Sequence, residues 1–426
     1  MNGRMPPQLV AAVPGPMARA WVDILARHEC PAVTARRARR AATLGTADDD
    51  PIVFDEAVGA NIRDVDGNVF VDLTSGFGVA LVGHRHPAVV DAAVRQIQRL
   101  PHAMGDAFPD RTRIALLERL AQLAPPGLDV ALLGLSGSDA VDAALRTAWL
   151  ATGRLGVLAF DGGYHGLALG VAGLQSHAPR LTSPFAPLLH PAVRRLPYGC
   201  PTEDIVRALA QGAPHRDGQT VPIGLVIAEP VLGRGGVRPP PDGWWTGLAA
   251  AARAAGALLA ADEIMTGLGR CGTRWASGGA CDLLLTGKAL AGGFPLSACL
   301  GSADLMNAWG PSAGEALLTQ TFLGHPVGCA AALAVLDLVD GGLPDQARTL
   351  GSDLRSKLQA RGLTVRGTGL LLAVHVDGDP LACCRALLSR GFLALPAGPD
   401  AVGLMPPATL DPSQVSAVVD AFAALA

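Results

Sequence analysis

Three apolar runs in the middle of the chain each end on a charged residue and then break into glycine. Gly224–Pro230 (GLVIAEP) ends in Glu229, followed by Gly233-Arg234-Gly235-Gly236. Ala257–Glu263 (ALLAADE) ends in Asp262-Glu263, with Gly267 and Gly269 beyond. The stretch Asp282–Ser297 (DLLLTGKALAGGFPLS) opens on Leu283-Leu284-Leu285-Thr286, breaks at Gly287, and presents Lys288 before a Gly/Pro-rich loop. An Ala-rich helical stretch, about Trp244 to Ala255, separates the first two. Short apolar runs without alternation, joined through a helix, read as strands buried on both faces of a parallel sheet. Crossovers of one hand then gather Glu229, Asp262 and Lys288 at one edge of that sheet. That edge, at the carboxyl ends of the strands, is where α/β folds place ligands.

A lysine there is partly desolvated, which lowers its pKa and makes its amine a usable nucleophile toward a carbonyl. A carboxylate beside it is either a structural ion pair or one half of the set that pyridoxal phosphate requires. In the second case the lysine holds the aldehyde and an aspartate keeps the ring nitrogen charged, so that the ring can withdraw electrons.

Further motifs favour the second reading. Ala261–Arg270 (ADEIMTGLGR) and Thr286–Gly293 (TGKALAGG) resemble the Asp and Lys motifs of class III aminotransferases, which are pyridoxal-phosphate enzymes of fold type I. Leu135-Ser136-Gly137-Ser138-Asp139-Ala140, after a short strand Asp129–Gly134, puts small residues at a strand-to-helix turn. Free backbone N–H groups and the helix dipole make such a turn a cradle for phosphate. It resembles the family's phosphate motif, with Asp139 where Glu is commoner. Asp161–Gly166 (DGGYHG) resembles the [YF]HG motif and uses one of only two tyrosines in the chain. Thr321-Phe322-Leu323-Gly324-His325-Pro326 resembles a segment whose threonine binds the phosphate of the neighbouring subunit. Val71–Gly78 and Gly83-His84-Arg85-His86-Pro87 resemble a hairpin, a substrate-lining loop that includes Phe77, and a GHxHP turn. Val13-Pro14-Gly15-Pro16 resembles the N-terminal lead of 4-aminobutyrate aminotransferases.

The resemblance implies an α/β fold with a large, mostly parallel sheet flanked by helices, plus a smaller α+β domain. We expect residues 1–75 to join a C-terminal small domain (326–426) around a large cofactor domain (76–325). It also implies pyridoxal 5′-phosphate held by Lys288 as an imine and by Asp262 at the ring nitrogen. Ser136, Gly137 and Ser138 would meet the phosphate, together with Thr321 of the partner chain. Tyr164 would stack on the ring with His165 beside it, Ile264 would contact it, and Glu229 would orient neighbouring groups. The expected activity is transfer of an amino group from an amino acid or other primary amine to an oxo acid, in a homodimer. An isomerase on the same scaffold, a racemase, 2-epimerase or aminomutase, is the alternative. Met265 stands where many family transaminases carry Gln, and the aminomutases carry Met there too.

Family members that use glutamate pair a Glu in the loop after E-P with an Arg shortly before the C-terminal P-P. The matching positions here are Arg234 and Gly403. With that pair missing, either another acceptor such as pyruvate is preferred or Arg234 itself meets a substrate carboxylate.

Composition narrows the partners. Only 17% of the 426 residues are charged and the net charge is −3, which gives no electrostatic reason to expect nucleic acid or an acidic membrane surface. The basic run Arg36-Arg37-Ala38-Arg39-Arg40 has no interleaved aromatics and reads as a solvated helix face. The eight cysteines, at 30, 200, 271, 281, 299, 329, 383 and 384, form no C-x-x-C pair, and the histidines of the GHRHP turn lack partners at ligand spacing, so no metal is expected. No apolar run reaches the ~18 residues that span a bilayer. No basic-then-apolar leader is legible near the prolines at 6, 7, 14 and 16. A cytoplasmic location is the expectation.

Overall fold

The computed structural model describes residues 1–34 and 51–425. The Arg36–Arg40 cluster and the acidic turn Asp48-Asp49-Asp50 lie outside the described residues. The centre is a seven-stranded sheet in the order Val130–Gly134, Ser297–Gly301, Leu283–Thr286, Leu258–Asp262, Ile223–Ala228, Gly156–Phe160, Val193–Leu196. Ser297–Gly301 runs antiparallel to both its neighbours, while Leu283–Thr286, Leu258–Asp262, Ile223–Ala228, Gly156–Phe160 and Val193–Leu196 pair in parallel. Leu283, Leu284 and Leu285 are fully buried. At about 1.5–3 kcal/mol for each buried leucine, this strand is held by both faces of the sheet.

The strands that end in Glu229, Asp262 and Lys288 are adjacent, with Ala260↔Leu283 and Ala260↔Ile227 in register. Their carboxyl ends therefore open on one crevice, as expected from the sequence. Val193–Leu196 was not legible: the stretch from Leu167 to Thr220 reads from sequence only as loops and surface helices. It forms the edge strand of this sheet and the helix Thr202–Gln211.

A second unit packs beside the sheet. Val365–Thr368, Leu371–His375, Ala401–Leu404 and Leu395–Pro396 form an antiparallel sheet. The N-terminal hairpin, Asn61–Asp64 with Val69–Asp72, joins this side, since Phe392–Leu393 pairs in parallel with Val71–Asp72. Ala60, Val71 and Leu73 share one buried cluster with Leu354, Leu372, Val402 and Val415. The helix Pro326–Asp340 instead buries Cys329, Ala332, Val335 and Leu336 against Leu116 and Leu120 of Arg111–Leu123.

One buried guanidinium ties these parts together. Arg270 is fully buried and donates to the carbonyls of Pro406 (2.6 Å), Leu370 (3.2 Å) and Gly78 (3.4 Å). Of the GHRHP histidines, His84 Nε2 lies 2.7 Å from Asp72 Oδ2, and His86 stands at the N-cap position of Pro87–Arg99 without a capping bond from its side chain. No single helix among the described residues is long and apolar enough to cross a membrane.

Candidate active site

The break after Thr286 places Lys288 at φ +34°, a left-handed conformation that is costly for a residue with a side chain and is characteristic of functional turns. The side chain is half-buried, and what is exposed faces two adjoining cavities. Burial pushes the ammonium pKa down and Arg234 and Arg270 add to this, while Asp262 and Glu229 oppose it. No described residue accepts a hydrogen bond from Nζ.

Asp262 is fixed from two sides. Its Oδ2 lies 2.7 Å from His165 Nδ1, and its Oδ1 accepts from the Ile264 amide at 3.2 Å. Burial works against a charge on His165, but the hydrogen bond to Asp262 and the charges of Asp262 and Glu229 outweigh it, so its pKa lies above the ordinary histidine value. His165 and Asp262 are both almost wholly buried, and they hold each other in one orientation.

Glu229 is a clamp. Oε1 accepts from the Tyr164 amide and Oε2 from the Gly233 amide, each at 2.9 Å. Burial raises its pKa, moderated by His165. The other tyrosine, Tyr198, donates its hydroxyl to the Glu229 carbonyl at 2.9 Å and so anchors the clamp from behind.

The turn before the helix Gly137–Thr152 is a capping box: Ser136 Oγ accepts from the Asp139 amide, and Asp139 Oδ2 accepts from the Leu135 and Ser136 amides at 2.9 Å. Asp139 therefore does the work of the commoner Glu. The amides of Gly137 and Ser138 have no acceptor among the described residues and stand at the positive end of a 16-residue helix.

Nine of the residues singled out in the sequence, Ser136, Gly137, Ser138, Tyr164, His165, Glu229, Asp262, Ile264 and Lys288, line one cavity of about 360 Å³. Arg234 lines it too and also the adjoining cavity of about 890 Å³, where Phe77 stands. Phe77 is set by a left-handed turn with φ of +47°, +56°, +63° and +90° at Ser75 to Gly78, held by Ser75 Oγ donating to the Met405 carbonyl at 2.6 Å. A Cβ on Gly78 would lie 3.4 Å from Lys288 Cδ. Thr321 is not brought in: it is exposed on the turn before Pro326–Asp340 and lines neither cavity. Sequence reasoning missed His177 and Arg180, which line the larger cavity, and the wall Leu395–Pro399 opposite. Only their place in a Pro/His-rich stretch after the Tyr164 turn hinted at the first two.

The sequence profile described as aminotransferase class-III matches residues 45–425. The chain belongs to the class III aminotransferases. It is 35% identical over 416 residues to the acetylornithine aminotransferase of Mycobacterium tuberculosis, covering 92% of this chain and 96% of that one. It is 34% identical to the 5-aminovalerate aminotransferase of Pseudomonas putida, over 76% of this chain and 79% of that one. An amine transaminase from an uncultivated Pseudomonas species, solved with pyridoxal phosphate bound, superposes with a TM-score of 0.78 at 30% identity, covering 88% and 95% of the two chains.

The chain is thus a fold type I aminotransferase that works with pyridoxal phosphate. The residues present fit that group. Glycine keeps its cradle open: a Cβ on Gly166 would fall 2.2 Å from Ser138 Oγ, and one on Gly137 would fall 3.0 Å from Ile264 Cδ1. An amine with a lowered pKa, a fixed carboxylate and two unpaired amides at a helix start all face the same cavity.

Proposed function

We propose that this aminotransferase holds its cofactor through Lys288, Asp262, Tyr164 and the amides of Gly137 and Ser138, and uses Lys288 as its acid–base group. When bound, the cofactor supplies an aldehyde for exchange with a substrate amine and an electron-withdrawing ring. The carrying observation is that Lys288 and Asp262 line one cavity that ends on the open start of the helix Gly137–Thr152. Asp262, oriented by His165, presents a fixed negative charge to a cationic ring nitrogen. The depressed pKa of Lys288 raises its neutral fraction, so the amine can take a proton from a substrate carbon and return it. Glu229 fixes the Tyr164 turn.

The test uses the two half-reactions. Purified holoenzyme mixed with a panel of primary amines should lose its cofactor absorbance, and an oxo acid should restore it. Lys288→Ala should do neither. An isomerase would reorganise the amine without passing its nitrogen to an added oxo acid. If no amine exchanges its nitrogen into an acceptor, the proposal fails.

We infer further that the working unit is a homodimer. Met104, Phe108 and Phe322 are more than half exposed and lie beside the Thr321 turn, joined by His102 packing on Phe322 at 5.3 Å and Thr319 donating to Asp106 at 2.8 Å. An apolar patch of this kind suits a protein partner, and a twofold contact there would carry Thr321 toward a neighbouring site. The eight cysteines are all free, which supports a reducing, cytoplasmic setting.

A further inference from the structure

The larger cavity is lined by Arg180, Arg234, Arg238 and Lys288 and by no carboxylate. Arg234, from the loop after the Glu229 strand, lays its guanidinium 4.5 Å above the ring of Tyr164. His177 meets the same ring edge-on, with centroids 6.3 Å apart. Arg180 follows on the adjacent short helix Pro179–Leu181. Among the described residues, no side chain or carbonyl accepts a hydrogen bond from Arg234, from Arg180 or from the ring of His177.

We propose that Arg234 and His177, backed by Arg180, form a carboxylate subsite beside Lys288, and that a carboxylate on the amino donor or on the oxo acid is what it binds. The inference rests on Lys288 being the reacting amine. It assigns carboxylate recognition to the loop after the Glu229 strand, not to the strand that carries Gly403.

Three observations support it. The first is electrostatic. Packing guanidinium, guanidinium and imidazole together without an anion is unfavourable, and burial, with Arg234 and Arg180 adding, pushes His177 down to about 4. The imidazole is therefore neutral at physiological pH and can donate one hydrogen bond without adding a further positive charge. A ligand carboxylate relieves the repulsion and accepts from the planar fork of Arg234.

The second is preorganisation. The Glu229 clamp ties down both Tyr164 and Gly233, the residue before Arg234. A Cβ on Gly233 would fall 2.1 Å from Met265 Sδ, so this turn packs against the floor of the site. The guanidinium is held by its stack and its edge is left available to ligand. The third is position. Arg234 lines both cavities whereas Arg180 and His177 line only the larger one, so the group runs from beside Lys288 outward. Arg238, exposed further along the same loop, lines this cavity too, while Arg366 lies outside the lining and is already committed to Asp400 (2.7 and 3.0 Å) and to the Gly236 carbonyl (2.7 Å).

The experiment has two arms. In the first, glutarate, a dicarboxylate with no reactive carbonyl, is titrated calorimetrically into holoenzyme. Wild type should bind it. Arg234→Gln should weaken binding about tenfold to a hundredfold, the span expected for hydrogen bonds to a charged group. His177→Phe, which keeps the ring packed on Tyr164, should weaken it about threefold to tenfold. In the second arm, kcat/KM is compared for 4-aminobutyrate and n-butylamine. The preference for the carboxylate-bearing amine should fall by a similar tenfold to hundredfold in Arg234→Gln, and Arg234→Lys should recover only part of it. Arg180→Ala, an exposed change that spares the core, should reduce both readouts in the same direction. Unchanged glutarate affinity and unchanged preference in Arg234→Gln would overturn the subsite. Failure of every amine to react would instead sink the aminotransferase reading, and glutarate binding would still decide the subsite.

Discussion

Asp262 has a single orientation because both its oxygens are engaged, Oδ2 with His165 and Oδ1 with the Ile264 amide. An asparagine is isosteric there and can still accept one of these bonds, so Asp262→Asn is expected to fold and to retain the cofactor. What it lacks is the charge. A neutral partner leaves a cationic ring nitrogen unpaired in a buried site, and losses of this type run to about 10²–10³ in kcat. We expect single-turnover deamination of the best donor to slow by about that factor, with cofactor content unchanged by absorbance. Near-normal rates would remove Asp262 from this role. Lys288, Asp262 and Glu229 were legible in the sequence because each follows an apolar run and precedes glycine, which places all three at one sheet edge. His177 was not, because nothing in SHAP says that its ring will meet Tyr164. That contact is made only by the turn after Phe160, through the amides of Ser176 and His177 donating to the Gly163 carbonyl.

The start of Gly137–Thr152 shows how an element builds a site from small residues. Its cap is closed by Ser136 and Asp139, which leaves the Gly137 and Ser138 amides for a ligand. Across from it Gly166 sits at φ +104°, so any side chain would be strained as well as crowded against Ser138. Gly166→Ala should therefore push Ser138 into the cradle and lower cofactor affinity by tenfold or more, roughly 1.4 kcal/mol. Equilibrium dialysis of the apoenzyme against pyridoxal phosphate measures it, and unchanged affinity would place the phosphate elsewhere. Elements of this kind, with a strand, a small-residue turn and a capped helix, were readable to within a residue or two. The edge strand Val193–Leu196 was not, since VRRL alternates weakly, none of its residues is buried, and its extended form comes from pairing with Gly156–Phe160. The left-handed turn at Ser75–Gly78 was likewise hidden, because Ser and Phe do not advertise positive φ.

At the scale of the molecule, Pro326–Asp340 packs into the core of the large unit, while the antiparallel sheet and the N-terminal hairpin share a separate buried cluster. Arg270 and Arg366 bridge the two, and Arg366 does so next to the loop that carries Arg234. The lone chain leaves Thr321 outside its own cavities, on a turn flanked by exposed Phe322 and Met104. If Thr321 completes a partner's site, cofactor binding and dimerisation are thermodynamically linked: whatever tightens one must tighten the other by the same factor. Sedimentation of apoenzyme and holoenzyme should then give a dimer that resists dilution better with pyridoxal phosphate than without. Thr321→Val removes only a hydroxyl from an exposed turn and should leave the monomer's fold intact. It should nevertheless weaken cofactor retention by about 1.5–3 kcal/mol per site, the usual worth of a hydrogen bond to a charged group, and shrink the gap between apo and holo dimer stability by about twice that, because each dimer holds two such sites. A Thr321→Val protein that keeps both its cofactor and the full gap would show that each chain builds its site alone.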